Sequence, residues 1–227
     1  MTARTCLVGV GLMLATAGPC LAQTAPAAAP RRPREVAVRG LFSGPASMGS
    51  SDASELGASG ATNLTLFTTS NGLGVGGGVE LLLGWQLRPG LWFEVAGGLL
   101  KTTLRTRITD DFEGAADQTL SSGATRFSAE GALLWYLKDR GKTAWFVRAG
   151  GGVMREAAGD LSLASTGFIA NGSIGYRHWW RMNAPGTFPR MGVRVEARGV
   201  LRAGGVTLGS RSVTFGPAGA VALVFGY

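Results

Sequence analysis

The chain has 227 residues, 45% of them hydrophobic and 16% charged, and it carries a formal net charge of +8. Its arginines and lysines stand singly along the sequence, which disfavours nucleic-acid binding and favours an acidic membrane surface as the partner. Both cysteines, Cys6 and Cys20, lie near the N-terminus. The rest of the chain therefore has no disulfides, thiol nucleophiles or cysteine metal sites.

The N-terminal segment has the pattern of a secretory signal peptide. Arg4 precedes an apolar segment over 6–17, and small residues follow a Gly-Pro break. We predict a signal peptide over 1–22. The apolar segment is too short for a membrane anchor, and the proline just before Cys20 disfavours lipidation of that cysteine. Residues 23–34 are rich in Ala, Pro and Arg without periodicity, which predicts a flexible periplasmic leader.

Beyond the leader, we predict a single domain over 35–227 that consists of strands. Apolar and polar residues alternate with a period of two, and turn residues interrupt the alternation. We predict eight strands, at 35–43, 73–87, 91–105, 124–137, 143–157, 166–180, 190–202 and 213–227.

The connections between these strands alternate in length. Mostly short ones stand at 88–90, 138–142 and 181–189, and generally longer, polar ones at 44–72, 106–123, 158–165 and 203–212. Short turns at one end and long loops at the other are typical of outer-membrane β-barrels. Tilted segments of about ten residues are also long enough to cross hydrocarbon.

Charged residues keep to one face of each predicted strand. In 190–202, for example, Val193 and Val195 share one face while Arg194 and Glu196 share the other. The interior-facing charges are predicted to be Arg39, Glu80, Glu94, Arg126, Glu130, Arg148, Arg177, Arg194, Glu196 and Arg198. We interpret them as a paired network that fills the interior, because buried charges are tolerated only when paired. The alternative is a narrow path for anions, since arginine outnumbers glutamate.

Aromatic residues collect near the ends of the predicted strands. Six tryptophans border the short turns, namely Trp85, Trp92, Trp135, Trp145, Trp179 and Trp180. Phenylalanines stand toward the long loops, at positions 42, 127, 168 and 215. Because tryptophan prefers the boundary between hydrocarbon and water, we predict a periplasmic aromatic girdle.

The last predicted strand ends on alternating large apolar residues. Its final residue, Tyr227, and Phe225 two positions earlier resemble the C-terminal assembly signal of outer-membrane barrels. With the eight alternating segments and the signal peptide, the chain resembles the small eight-stranded outer-membrane barrels, the OmpA/OmpX-like porin-family group. The resemblance implies an all-β, eight-stranded antiparallel up-and-down transmembrane β-barrel in the outer membrane. It also implies contact with outer-membrane lipid and with the barrel-assembly machinery.

Enzymatic readings of the sequence are weaker. No serine stands beside the single histidine, His178, in a recognisable motif, and its tryptophan-rich surroundings favour an interfacial imidazole. The acidic residues of one long connection match no calcium-loop spacing; they are Asp110, Asp111, Glu113 and Asp117. The glycines of 72–80 lack the lysine and helix of a phosphate loop. We therefore predict no enzyme activity, no cofactor and no metal site.

The sequence thus predicts a small non-enzymatic outer-membrane barrel with a structural or surface-interaction role. An extracellular partner would meet it through 44–72 and 106–123. Two alternatives are a narrow channel for small solutes and a periplasmic, lipocalin-like lipid-binding barrel. The lipocalin would carry its charges outside and its apolar face inside.

Overall fold

The computed structural model describes residues 34–56, 63–139, 141–159, 163–181, 190–206 and 212–227. The predicted signal peptide and all of the predicted leader except Arg34 lie outside these ranges. The described residues form ten strands, which are β1 (Arg34–Ser43), β2 (Ala46–Leu56), β3 (Asn63–Leu73), β4 (Gly76–Arg88), β5 (Leu91–Thr109), β6 (Gln118–Asp139), β7 (Thr143–Ala158), β8 (Leu163–Arg181), β9 (Arg190–Gly204) and β10 (Val213–Gly226).

The described ranges contain no α-helix, so the all-β prediction is confirmed for them. Within the same ranges, no helix has the length and apolar character needed to span a membrane.

Eight of the strands close into a ring of antiparallel neighbours. The order is β1, β4, β5, β6, β7, β8, β9, β10 and back to β1. Each of these strands overlaps one of the eight predicted segments, and each pairs with a neighbour on both sides. The first and last strands meet along their length, from Glu35 opposite Gly226 to Ser43 opposite Ala218. Closure leaves the ring without an unpaired edge.

The strands of the ring are staggered. The cross-strand partners can be followed around the ring, starting at Phe42 of β1 and going first to β10. The successive partners are Gly219, Ala197, Ile174, Val147, Trp135, Leu91 and finally Arg88 of β4. The direct partner of Phe42 in β4 is Gly77 instead. A full turn therefore displaces the register along β4, which means that the strands tilt relative to the ring axis.

The connection predicted as a loop over 44–72 is a β-hairpin. Strands β2 and β3 pair with each other, and residues 68–73 of β3 also pair with 104–109 of β5. The predicted loop over 106–123 is likewise shorter, because β5 continues to Thr109 and β6 begins at Gln118. The polar, Ser- and Thr-rich hairpin lacks the regular apolar alternation on which the prediction relied.

Alternate residues of each ring strand face the interior and the outside. In β9, Arg194 and Glu196 are buried while Val195 between them is 47% exposed. The outer face is apolar and the interior holds the charges. We call the end that carries the β2–β3 hairpin the long-loop end, and the end at 89–90 and 141–142 the short-turn end.

Small residues make room for the large side chains inside. Gly175 faces the interior beside the ring of Phe146, and a Cβ atom there would overlap that ring. The same Cβ would also come within 2.6 Å of the carbonyl oxygen of Val195. Gly152 is comparably tight, since a Cβ would lie 2.8 Å from the Cα of Glu130. These glycines are needed for close packing.

Candidate functional site in the interior of the ring

The interior holds a connected set of charged side chains. The ten charged residues predicted to face inward all lie there, and none is more than 8% exposed. The structure adds Glu35, Glu156 and Arg202, which are also buried. Each of these three has the strand parity of a predicted interior residue, so parity alone was sufficient to find them. The described interior therefore contains seven arginines and six glutamates.

Arg39 anchors the middle of the network. Its Nε and Nη2 atoms donate to one oxygen of Glu80, its cross-strand neighbour in β4. Its Nη1 atom donates to Glu196 at 2.9 Å. Arg194 shares that Glu196 oxygen at 2.7 Å and also binds Glu94. Both guanidinium groups are almost fully buried, so each depends on these carboxylates for its stability.

A second branch joins Glu94 to the opposite wall. Arg148 donates to Glu94 at 3.1 Å and to the amide oxygen of Asn171 at 2.5 Å. Asn171 in turn donates to Glu130 at 2.7 Å, and Arg198 donates to the same carboxylate oxygen at 3.2 Å. Asn171 thus links two ion pairs by using both its acceptor and its donor, which fixes how the two pairs are oriented.

Aromatic side chains close the interior at the short-turn end. Arg177 donates to Glu35 at 2.9 Å and to the hydroxyl of Tyr136. Its guanidinium carbon also lies 4.0 Å from the centre of the Tyr136 ring and 4.7 Å from that of Trp179. Beside it stands a buried cluster of Trp92, Leu134, Tyr136, Ala144 and Phe146.

A mixed layer closes the interior at the long-loop end. Glu156 accepts from Arg126 at 2.9 Å, from Arg202, and from the backbone of Val206 at 3.2 Å. Above this group lies a buried apolar cluster of Met48, Leu73, Leu104, Ala124, Ala158 and Val206. Met48 comes from the hairpin and is 0% exposed. The hairpin therefore contributes to the packing over the ion pairs.

The six tryptophans do not share one placement. Trp135, Trp145 and Trp180 face outward and are each more than half exposed, and Trp85 has the same outward parity. Trp92 and Trp179 lie inside the ring instead, at 5% and 1% exposure. The expectation of a single outward girdle of six is thus corrected to four. Both interior tryptophans have the parity of interior charges, Glu94 and Arg177, which the prediction from position along the strand overlooked.

The C-terminal residues are held by the first strand. The backbones of Tyr227 and Arg34 exchange two hydrogen bonds of 3.0 Å. Tyr227 is 48% exposed on the outer side, and Phe225 shares its strand parity. The two residues of the predicted assembly signal therefore lie on the apolar outer face.

The groups considered for catalysis or metal binding lie apart from this interior. His178 is half-buried, on the outward parity of β8. The acidic loop residues are surface groups, and Asp117 pairs with Arg107 at 2.8 Å. In the described ranges, no group of three histidine, cysteine or acidic residues is arranged to hold a metal ion.

No protein-family model matches the chain, and no curated protein matches it significantly.

Proposed function

We propose that this chain is a small non-enzymatic β-barrel of the outer membrane, with a structural or surface-interaction role. The observation that carries the proposal is the composition of the outer face. Between the outward tryptophans and the outward phenylalanines, the outward positions of the ring carry no charged side chain. Many of the large apolar ones are exposed, and Val79, Leu133 and Val221 are more than half exposed. A contiguous apolar surface of this extent is characteristic of contact with lipid.

The height of this apolar band supports the same proposal. From Trp145 to Val153 the outward face of β7 advances eight residues. That is about 26 Å of strand, or about 20 Å along the axis at a tilt of roughly 40°. The apolar band of outer-membrane barrels is about 25 Å tall. Tryptophans at one border and exposed phenylalanines at the other fit the two interfaces of a bilayer.

Charges reappear on the outer face just beyond the band. Lys101 and Arg155 are exposed on the outward parity of β5 and β7, and both lie two residues past the last apolar outward position of their strands. In a membrane they would stand at the level of the lipid headgroups, where long basic side chains are stable. Acidic headgroups there also suit the net positive charge of the chain.

The interior argues against the two alternatives. A lipocalin-like binder needs an apolar interior, whereas this interior holds thirteen buried charged residues in the described part of the chain. An open channel needs a continuous polar path. Here ion pairs fill the middle, an aromatic cluster lies at one end, and an apolar cluster at the other.

A surface-interaction role is supported by the hairpin. Strands β2 and β3 extend past the ring at the long-loop end, and β2 has a strand partner on one side only in the described sheet. Its sequence, ASMGSSDASEL, is mostly small and polar. A solvent-exposed strand edge of this kind can pair with an extended segment of another protein.

Electrophoretic mobility in an outer-membrane fraction tests the proposal. A closed transmembrane barrel resists detergent until it is boiled, so the unboiled protein should migrate differently from the boiled protein. Recovery of the protein in the soluble periplasmic fraction, without such a shift, would refute the membrane location.

A further inference from the structure

The buried charges inside the ring are balanced at two levels and unbalanced at a third. At the short-turn end, Arg177 faces Glu35. In the middle, four arginines and four glutamates interconnect, namely Arg39, Arg148, Arg194 and Arg198 with Glu80, Glu94, Glu130 and Glu196. At the long-loop end, Arg126 and Arg202 share Glu156. Among the buried charges of the described interior, the one excess guanidinium therefore lies at the long-loop end, whereas the half-buried Arg190 lies beside Trp179 at the short-turn end.

A cavity lies next to this excess charge. It has a volume of about 60 Å³, and its polar lining includes Arg126, Arg198, Arg202, Ser128 and Thr214. The lining contains one carboxylate, Glu130, which already accepts hydrogen bonds from Arg198 and Asn171. The remaining wall is largely apolar, with Leu41, Leu100 and Ile169 among its residues.

Two of the lining arginines have donors without acceptors. Arg202 is 3% exposed, and its Nε and Nη1 atoms have no hydrogen-bond partner in the described part of the chain. Arg198 is 7% exposed, and its Nε atom is in the same situation. A buried charged donor without an acceptor is costly, because its interaction with water is lost and nothing replaces it.

We propose that this cavity is a binding site for one small monovalent inorganic anion of the halide class. Such an ion supplies the single negative charge that the buried group at the long-loop end lacks and an acceptor for the guanidinium donors. The apolar wall lowers the local dielectric, which strengthens attraction between the anion and the arginines. The cavity has room for an ion with one or a few waters but not for a headgroup or a nucleotide. The site depends on the interior alone, so it stands whether or not the ring spans a membrane.

Sodium bromide is a suitable probe, because bromide scatters X-rays anomalously. In crystals of the refolded protein grown with bromide, we expect an anomalous peak within hydrogen-bonding distance of Arg202 or Arg198. In solution, replacing gluconate with bromide at constant ionic strength should raise the urea midpoint of unfolding, since a ligand that binds the folded state stabilises it. Above the dissociation constant, each tenfold rise in bromide should lower the unfolding equilibrium constant about tenfold.

The variant Arg202→Gln removes the excess charge and should abolish this bromide dependence. Arg155→Gln makes the same change on the outer face of β7 and should retain it. A wild-type crystal without a peak in the cavity would overturn the proposal. Equal bromide dependence in Arg202→Gln and wild type would do so as well. If Arg202→Gln does not fold, the anomalous peak in the wild-type crystal decides alone.

Discussion

Arg194 and Glu94 join opposite sides of the ring. The Nη1 and Nη2 atoms of Arg194 donate to the two carboxylate oxygens of Glu94 at 2.5 and 3.0 Å. Their strands, β9 and β5, stand four positions apart in the ring of eight, so this bidentate pair crosses the interior. Removing one partner leaves the other as an unpaired buried charge. Arg194→Met should therefore lower the free energy of unfolding by about 3–5 kcal/mol. Urea titration followed by tryptophan fluorescence measures this loss.

The control for this loss is an ion pair on the surface. Arg107 and Asp117 lie 2.8 Å apart but are 60% and 53% exposed. Arg107→Gln should therefore change the free energy of unfolding by less than about 1 kcal/mol. If Arg194→Met is no more damaging than Arg107→Gln, the cross-ring pair does not stabilise the fold.

The same network predicts the electrical behaviour of the protein. Arg39 and Arg194 meet at Glu196 in the middle of the interior, and both guanidinium groups are almost fully buried. Ion passage would require these pairs to separate, so we expect no steady conductance when the protein is reconstituted in a planar bilayer. Regular, discrete openings at low voltage would show that the interior is not closed and would favour the channel alternative.

The sequence was sufficient to locate the strands of the ring and to divide their residues between two faces, but not to decide which face lies inside. Each ring strand has one buried and one exposed face of different composition, so a period of two reveals both. Trp92 and Trp179 have the same strand parity as interior charged residues, and both are buried inside the ring. The girdle prediction missed this because it considered only how near a tryptophan lies to a turn.

Other features could not be inferred from the alternation. The hairpin strands β2 and β3 lie beyond the ring and lack its regular apolar alternation. Cross-ring partners such as Arg194 and Glu94, separated by 100 positions in sequence, depend on the stagger of the ring and on side-chain rotamers. The cavity beside Arg202 depends on how the layers above and below it pack, which strand parity does not determine.

Interior glycines should be intolerant of substitution where the packing is tight. Gly175→Ala would place a Cβ against the Phe146 ring and the Val195 carbonyl oxygen. We expect a loss of about 1–3 kcal/mol in the free energy of unfolding, as for other overpacked cores. Gly172→Ala is the matched control in the same strand, because its Cβ would meet only the Arg148 carbonyl oxygen at 4.0 Å. Equal effects of the two substitutions would contradict the packing at Phe146.

Quenching of tryptophan fluorescence should distinguish the outward from the interior tryptophans. In vesicles of lipids with brominated acyl chains, a variant with Trp92→Phe and Trp179→Phe keeps only the outward tryptophans and should be strongly quenched. A variant that keeps only the two interior tryptophans should be quenched weakly, because both are almost fully buried within the ring. Weak quenching of both variants would indicate that the apolar outer face does not contact acyl chains.

The most direct test of the outer face is a charge introduced at its middle. Val195 is 47% exposed and lies between buried Arg194 and Glu196, so Val195→Arg alters the outer face while leaving both interior partners in place. In lipid vesicles the substitution should cost about 2–4 kcal/mol in the free energy of unfolding, as expected for arginine near the bilayer midplane. Val195→Ala, which adds no charge, separates this effect from the loss of the valine side chain. A near-neutral result for Val195→Arg would mean that water rather than lipid covers this face, because an exposed arginine on a soluble strand is readily hydrated. The interior network would then belong to a ring whose outer face is in water.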